Sequence, residues 1–257
     1  MTNSGSRKFA ALILFAALSV SACASIPETQ EGRAEYDATN DPFEPMNRTI
    51  FDFNDFLDRL LFRPVAELYR WTVPPPLRDR VAGIVSNMRE PVIFANDLLQ
   101  ADPDKATTTF GRFAINTTAG IGGMFDFAND LKLYQQTGDF GQTLYVWGVG
   151  EGPYLVLPLL GPSNIRDAIG IGVDALMSPW QYLAGLRGPG TENRFDLAYF
   201  SADGIIKREQ NIEALDALRT GSLDFYAQMR SVYRQYRDKQ LGTSSSEGMP
   251  KYDDFAQ

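Results

Sequence analysis

The sequence predicts a mainly α-helical protein, and three observations lead to this fold class. Apolar residues recur at intervals of three and four over most of the chain, as on one face of an α-helix. Sustained alternation of apolar and polar residues is absent, and no Asn-Gly or Gly-Gly turn lies between alternating runs. Prolines and glycines divide the apolar stretches into short pieces. Of the 257 residues, 235 follow the first 22, which is enough for one large domain or two small ones.

Residues 1–22 have the composition of a bacterial signal peptide. Arg7 and Lys8 give the segment a positive start, and Phe9–Val20 is apolar except for one serine. A membrane-spanning helix needs about 20 apolar residues, so this shorter run fits the apolar region of a signal peptide instead. The Val-Ser-Ala-Cys sequence that follows ends at Cys23 and resembles a bacterial lipobox, in which the cysteine becomes the acylated first residue of the mature chain.

Cys23 is the only cysteine of the chain and the predicted site of lipid attachment. The alternative is an ordinary leader before a structural cysteine, but a lone cysteine in an exported protein has no disulfide partner. Ala24, not an aspartate, follows it, which for this class implies the outer membrane, with the protein lipid-anchored and facing the periplasm. Several acyl chains anchor firmly because each buried methylene contributes about 0.8 kcal/mol. Residues 23–40 are therefore the lipidated N-terminus and a polar linker.

Charge and missing residue types exclude several functions. The formal net charge is −8 at pH 7, and removal of residues 1–22 takes away two positive charges and leaves −10. An acidic chain without a basic cluster argues against nucleic acid binding and against attraction to anionic headgroups by bulk charge. The chain has no histidine, the usual general base and the commonest metal ligand. The 32 acidic residues include no pair that stands out for a glycosidase-like mechanism. We expect no enzymatic activity, no metal and no cofactor.

The predicted helices follow the apolar periodicity and end at prolines and glycines. In chain order they are 49–62, 65–71, 77–100 with a break at Glu90-Pro91, 103–116, 165–186 with a break at Ser178-Pro179, 191–202, 205–218 after a break at Asp203-Gly204, and 221–239. Residues 138–147 are a short amphipathic segment. Asp102 and Pro103 are typical of an N-cap and of the first helical position. The apolar arc of 49–62 is wide, so this helix lies either deep in a large core or against lipid. Residues 241–257 are predicted to be a disordered polar tail.

Two glycine-rich stretches interrupt the helices. Gly120, Gly122 and Gly123 lie in TTAGIGGMFDFAND, where glycine either permits close approach of two backbones or forms a plain loop. The stretch 148–167, GVGEGPYLVLPLLGPSNIRD, begins like a dinucleotide fingerprint. Its prolines at 153 and 158 fit neither a phosphate-binding helix start nor a central strand. We expect a non-catalytic segment whose prolines, including the one at 162, prevent regular structure.

Five motifs stand in order along the chain. They are DPFEPMNRTIFDFN at 41–54, RPV at 63–65, FGRFAINTTAGIGGMFD at 110–126, DFGQTLYVWG at 139–148 and the stretch at 148–167. Together with the lipobox they resemble the MlaA (VacJ) family of outer-membrane lipoproteins, over residues 41–240. The resemblance implies a single domain in which short amphipathic helices form a ring that lies in the outer membrane around a central amphipathic channel. It therefore favours lipid contact over an ordinary core for the helix at 49–62.

The resemblance also implies a function in phospholipid transport. Members of this family take misplaced phospholipid from the outer leaflet and pass it to a soluble periplasmic lipid carrier, which maintains lipid asymmetry, and they associate with a porin trimer. The motif residues expected in the wall of the ring are Asn47, Arg48, Phe51, Asp52, Phe53 and Asn54. The candidates for the channel or for a hinge are Gly120, Gly122, Gly123, Gly148, Gly152, Pro153, Pro158, Gly161, Arg166 and Asp167. The last two residues of this set form either a local ion pair or a contact with the headgroup.

Two other functions stay open at this stage. The first is a structural lipoprotein that anchors or scaffolds a porin without moving lipid. The second is phospholipid hydrolysis, against which the missing histidine argues.

Overall fold

The structure, a computed structural model, describes residues 39–243 with the exception of Arg187 and Pro189. The predicted signal peptide, Cys23, the linker as far as residue 38 and the predicted tail from residue 244 lie outside the described residues. Within the described part of the chain, no helix combines the length and the apolar character that crossing a bilayer requires.

The fold is mainly α-helical with one short hairpin, and it forms a single domain. The helices are α1 (Glu44–Leu57), which continues through a π-turn (Asp58–Phe62) into α2 (Arg63–Thr72), then α3 (Pro75–Asn87), α4 (Glu90–Leu99), α5 (Pro103–Thr118), α6 (Phe127–Asp130), α7 (Phe140–Val146), α8 (Ile165–Met177), α9 (Pro179–Gly185), α10 (Thr191–Gln210), α11 (Ile212–Gly221) and α12 (Phe225–Leu241). The strands β1 (Tyr154–Leu157) and β2 (Gly161–Asn164) lie between α7 and α8. The predicted fold class is confirmed.

The breaks predicted at Glu90-Pro91 and Ser178-Pro179 are confirmed, because each proline lies in the first turn of a helix, where its missing N–H is not needed. Asp102 is the N-cap of α5, as predicted, and its carboxylate accepts a hydrogen bond from Lys105 N–H at 3.0 Å. These breaks depend on local chemistry that the sequence displays.

The predicted end of the first helix at Arg63-Pro64 is wrong. The helix begins earlier, at Glu44, and its backbone continues as a π-turn, closed by Arg63 N–H bonded to Asp58 O, directly into α2. Pro64 is the second residue of α2 and is tolerated there. Such single π-turns within α-helices are rare.

Two predicted boundaries near the C-terminus are also wrong. Helix α10 runs through Asp203-Gly204 to Gln210, because glycine weakens a helix without ending it and the Lys207 ammonium bonds the Asp203 carboxylate one turn away at 2.6 Å. Gly221 ends α11 instead of starting the last helix. Helix α12 begins at Phe225, where Asp224 accepts the N–H of Ala227 at 3.1 Å as N-cap.

The expectation that prolines keep residues 148–167 irregular is wrong as well. Strands β1 and β2 pair antiparallel, with Tyr154 opposite Asn164 and Leu157 opposite Gly161. The prolines fit because the sheet has only two strands: Pro153 precedes β1, Pro158 lies in the turn, and Pro162 lies in a strand that needs no further partner.

The packed elements form a closed circuit. Helix α1 packs on β1, the hairpin packs on α8 and α12, and α8 packs on α7. The circuit continues through α4, α5, α3 and α10 to α2, which is the continuation of α1. This order is consistent with the ring that the resemblance implies.

Most of the side chains that the fold buries are polar. Among the described residues, glycine aside, 18 polar or charged residues are buried and only 11 apolar or aromatic ones. Globular proteins usually bury charged side chains only when they are paired. Four of the buried apolar or aromatic residues of the described chain, Phe51, Tyr154, Val156 and Tyr226, form a small cluster in which α1 and α12 meet the hairpin. Polar contacts therefore hold most of the fold together.

Helices α7 and α8 cross at two glycines. A Cβ on Gly170 would lie 2.5 Å from the backbone nitrogen of Gly141 and 2.9 Å from its Cα. A Cβ on Gly172, two residues further along α8, would have no described atom within 4 Å. Close packing of α7 on α8 thus requires glycine at position 170 but not at position 172.

We predict opposite effects for alanine at these two positions of α8. Gly170→Ala forces the α7 backbone away and lowers the free energy of unfolding by about 1–3 kcal/mol. Gly172→Ala, the matched control, raises it by up to about 1 kcal/mol because alanine favours helix. Thermal unfolding of both purified variants tests this. Equal changes in the free energy of unfolding would contradict the close crossing of α7 and α8 at Gly170.

Candidate functional site

Large apolar side chains cover the outside of the molecule. Trp71 on α2 and Leu186 after α9 are each 83% exposed. Other exposed apolar or aromatic side chains on the same elements and their neighbours are Phe53, Phe56, Leu60, Leu61, Leu68, Leu176, Tyr182 and Leu183. Single exposed apolar residues are normal on soluble proteins, so they alone decide nothing. Combined with a polar interior, they give an arrangement that is inverted relative to a water-soluble protein.

The motif residues on α1 lie on two opposite faces. Phe53 is half-exposed and Asp52 is exposed, whereas Asn47 and Phe51 are buried. Arg48 lies over the ring of Tyr226 and bonds the carboxylate of Asp224 at 2.6 Å. The helix therefore buries Asn47 and Phe51 on one face and leaves Asp52 and Phe53 exposed on the other.

Two asparagines of this motif bind the edge of β1. The Asn47 side chain accepts the N–H of Val156 at 2.9 Å and donates to the carbonyl of Tyr154 at 3.1 Å. Seven residues later, Asn54 accepts the N–H of Leu159 at 2.8 Å and donates to the carbonyl of Leu157 at 2.9 Å. The two amides satisfy the backbone groups that a further strand would otherwise bind.

Asp167 is the polar centre of the hairpin end of the fold. Its carboxylate accepts hydrogen bonds from Tyr233 Oη at 2.6 Å, from Arg237 Nη2 at 2.8 Å and from Asn164 Nδ2 at 3.0 Å. Burial alone would raise the pKa of Asp167, but the Tyr233 hydrogen bond and the charges of Arg237 and Arg166 outweigh it and lower the pKa. Arg237 also binds Asp139, the N-cap of α7, at 2.6 Å.

Arg166 forms the local ion pair that was one of its two predicted roles. Its Nε lies 3.1 Å from Asp167 Oδ1, and its guanidinium lies over the ring of Tyr145. The side chain is buried, and within the described part of the chain its Nη2 has no hydrogen-bond partner. Contact with a lipid headgroup stays a prediction for this residue.

The remaining glycines and prolines of this stretch shape the hairpin. Gly148 and Gly161 have positive φ, and no described atom lies within 4 Å of a Cβ built on either. A Cβ on Gly152 would lie 3.1 Å from Ile165 Cβ, so this glycine is needed for close packing as well. Pro153 and Pro158 flank β1. The place of these residues in a channel wall stays a prediction.

The glycine loop, residues 117–126, is a compact connection between α5 and α6. Gly122 and Gly123 have φ of +72° and +97°, a region that favours glycine. A Cβ on Gly120 would lie 2.3 Å from Phe125 O, whereas Gly122 has no described atom within 4 Å of that position. Backbone bonds from Gly122 to Thr117 and from Gly123 to Asn116 close the loop. The glycines thus serve close approach and turn geometry, and their action as a hinge stays a prediction.

Sequence reasoning missed the residues against which this loop packs. A Cβ on Gly83 of α3 would lie 2.3 Å from Gly123 O, so α3 and the loop cross in direct backbone contact. Beneath the crossing, Arg112 binds Glu90 at 3.1 Å and Asp126 at 3.2 Å. The sequence does show charged residues within these apolar helical stretches. Without a known partner for them, that pattern is interpreted as a solvent-exposed face of the helix.

Asp174 on α8 is a second missed residue. Its carboxylate accepts the Asn96 amide at 2.8 Å and the N–H of Phe140, the first residue of α7, at 3.1 Å. Burial raises the pKa of Asp174 to about 6, although the hydrogen bonds from Asn96 and Phe140 oppose this shift. The carboxylate thus joins α4, α7 and α8. When it is charged, its burial lowers the stability of the fold.

Comparisons with known proteins match nearly the whole described chain. A family model described as MlaA lipoprotein matches residues 39–240. The chain is 36% identical to a protein of Escherichia coli strain K12 over 84% of this chain and 82% of that protein. It is 35% identical to a protein of Haemophilus influenzae over 86% of each. Both relatives carry the name "Intermembrane phospholipid transport system lipoprotein MlaA".

A solved structure agrees with the sequence comparisons. It is described as "Structural basis for maintenance of bacterial outer membrane lipid asymmetry" and superposes with a TM-score of 0.68 at 36% identity. The match covers 78% of this chain and 98% of that chain.

We predict that Asp174→Asn makes the protein more stable at neutral pH. The folded-state pKa of about 6 lies above the ordinary 3.8, so the stability that the protonated acid contributes is lost as pH rises between these values. The loss reaches up to about 3 kcal/mol above pH 6, and a neutral amide escapes it.

Thermal unfolding of the wild type and of Asp174→Asn from pH 4 to pH 8 tests this. The advantage of the variant is expected to grow up to about pH 6 and then to level off. A constant difference at all pH values would show that the carboxylate is not destabilised by burial.

Proposed function

The chain belongs to the MlaA lipoprotein family, and on that premise we propose that it removes phospholipid from the outer leaflet of the outer membrane. Lipid would pass through an amphipathic channel within the ring of helices to a soluble periplasmic carrier. This activity maintains the lipid asymmetry of the membrane. The protein would be held there by acyl chains on Cys23 and would associate with a porin trimer.

The inverted distribution of side chains is the observation that carries this proposal. Apolar side chains such as Trp71 and Leu186 are exposed, while 18 polar or charged residues are buried among the described ones. In water this arrangement exposes apolar surface at a cost of roughly 25 cal/mol per Å². In contact with acyl chains the same surface costs nothing, and polar groups turned to the interior avoid the hydrocarbon.

A polar interior also fits the substrate. The phosphate of a headgroup is costly in hydrocarbon, so movement of a phospholipid requires a polar path beside apolar walls. The fold already keeps arginines and carboxylates of α4, α5, α8 and α12 away from water by pairing them. The step requires no covalent chemistry, so a chain without histidine can perform it.

The decisive experiment distinguishes lipid transport from a scaffolding role without transport. Cells that lack the protein, with porin levels held constant, are expected to accumulate phospholipid in the outer leaflet, measured by chemical labelling of surface lipid. The purified protein, reconstituted with its porin in liposomes, is expected to deliver lipid to the soluble carrier. Intact asymmetry together with no delivery would support the scaffold instead. Release of free fatty acid by the purified protein would indicate hydrolysis.

We also propose that the glycine loop moves during transport, with Gly122 as its hinge. Substitution of Gly123 cannot test this, because a Cβ there would lie 2.5 Å from Asn87 Cβ and disturb packing. Gly122 has no described atom within 4 Å of a Cβ, so a change there acts through backbone freedom alone. Gly242, at the end of α12, has a similar φ of +69° and is equally open toward the described residues.

We predict that Gly122→Ala lowers lipid delivery about tenfold or more, while Gly242→Ala leaves it unchanged. Both alanines cost about 1–2 kcal/mol because both require a left-handed backbone. Thermal unfolding of the two variants measures whether they lose the same stability. Lipid delivery in liposomes then measures whether they differ in function. Equal delivery by the two variants would rule out the hinge.

A further inference from the structure

A small polar cavity lies under the crossing of α3 and the glycine loop. It has a volume of about 30 Å³, enough for one or two groups the size of a water molecule. Its lining residues are Gly83, Ser86, Asn87, Glu90, Arg112, Asn116, Gly123 and Asp126. Asp126, whose side chain is half-exposed, connects it with the surface. None of these residues is used by the ion-pair centre at Asp167.

The side-chain nitrogen donors around this cavity already have acceptor partners. Arg112 donates to Glu90 Oε1, to Asp126 Oδ2 and to the carbonyl of Leu133. The Asn116 amide donates to Asp126 Oδ1 at 2.8 Å, and the Asn87 amide donates to Thr117 Oγ1 at 2.9 Å. The cavity therefore has little to offer an anion such as phosphate.

Two acceptors on the same cavity have no partner. Among the described residues, Glu90 Oε2 and Asn87 Oδ1 are buried and make no hydrogen bond, and Glu90 is only 1% exposed. An unpaired buried acceptor is costly, and more so when it is charged. These two atoms require a group that carries N–H or O–H donors.

The charge of the cavity selects among such groups. When both carboxylates are ionised, Glu90 and Asp126 contribute two negative charges and Arg112 one positive charge, which leaves one negative charge uncompensated. A neutral water molecule satisfies the acceptors but not the charge. A metal cation is less suitable because such ions take about six oxygen ligands. A primary ammonium supplies three donors and one positive charge in a volume of this size.

We propose that this cavity binds a primary ammonium group, and that the group is the headgroup amine of an aminophospholipid. This assignment rests on the proposed function and deepens it, because it gives the protein a preference among its substrates. The phosphate and acyl chains would stay outside the cavity. A quaternary ammonium lacks N–H donors, and a glycerol headgroup lacks positive charge, so both are expected to bind more weakly.

Protonation of Glu90 competes with the cation. Burial raises the pKa of Glu90, and the Arg112 hydrogen bond and charge oppose this shift. Arg112 and Asp126 face Glu90 across the cavity from α5 and from the N-terminus of α6, and Asp97 on its own helix also acts on it. A bound ammonium would stabilise the charged carboxylate further. Ammonium binding is therefore expected to weaken as pH falls.

The test uses the full-length lipoprotein in vesicles of phosphatidylethanolamine, phosphatidylglycerol and phosphatidylcholine in equal parts. Lipid that copurifies with the protein is quantified by mass spectrometry. We expect roughly tenfold enrichment of phosphatidylethanolamine over the other two, the scale of one charge-assisted hydrogen bond. Glu90→Gln is expected to abolish the enrichment, whereas Glu67→Gln, the same change on exposed α2, is expected to retain it.

Two further measurements separate the possible failures. If Glu90→Gln unfolds, Asn87→Ser removes the other acceptor and is expected to reduce the enrichment. Methylammonium chloride, but not tetramethylammonium chloride, is expected to raise the unfolding temperature of the wild type and to compete with phosphatidylethanolamine. A shift with methylammonium but without lipid enrichment would overturn the headgroup assignment and identify free amine as the ligand.

Equal amounts of the three lipids in the wild type, or an enrichment that survives both Glu90→Gln and Asn87→Ser, would overturn the proposal. Absence of delivery of any lipid to the carrier would instead contradict the proposed function. The methylammonium shift still tests the cavity in that case.

Discussion

The buried ion pair between Asp167 and Arg237 is the interaction on which the rest of the structure depends most. Arg237 reaches from α12 to Asp139 at the start of α7 and to Asp167 at the start of α8. It thereby joins the C-terminal helix to the hairpin and to the α7–α8 pair. Loss of one partner of such a pair typically costs about 3–5 kcal/mol, because the other charge stays buried without compensation. A well-packed apolar core would have made this arrangement unnecessary.

The same construction recurs around the circuit. Asp41, near the start of the described chain, is buried and accepts hydrogen bonds from Asn47 at 2.8 Å and from Arg230 at 2.6 Å. Arg208 on α10 binds the two carboxylate oxygens of Asp58 in the π-turn. Polar pairs thus close the ring where an apolar core is thin. Since the apolar side chains are not needed inside, they are available to contact acyl chains outside, as in proteins whose solvent is a bilayer.

Local signals account for what the sequence predicted correctly. The N-cap at Asp102 and the helix breaks at Glu90-Pro91 and Ser178-Pro179 follow from one or two residues each. The motif residues Asn47 and Asn54 were singled out by resemblance, and their place in the wall of the ring stays a prediction. The partners of these asparagines, the carbonyls and amides of β1, are more than 100 residues away, so no local pattern reveals their role. The hairpin itself was missed because Pro158 and Pro162 argue against a central strand, and this sheet has no central strand. Glu90 and Arg112 are visible as charged residues within apolar helical stretches, but their pairing appears only when the helices are packed.

The central claim is that the exposed apolar surface contacts lipid, and quenching of single tryptophans tests it most directly. Trp71 is exposed on α2, whereas the Trp180 indole is half-buried and donates to the carbonyl of Met88 at 2.6 Å. Variants that retain only Trp71 or only Trp180, with Trp147 and the other tryptophan replaced by phenylalanine, can be reconstituted in vesicles with brominated phospholipid. We expect strong quenching of Trp71 by the brominated chains, little by aqueous iodide, and weak quenching of Trp180 by either. Quenching of Trp71 by iodide but not by bromine would place this surface in water and contradict the claim.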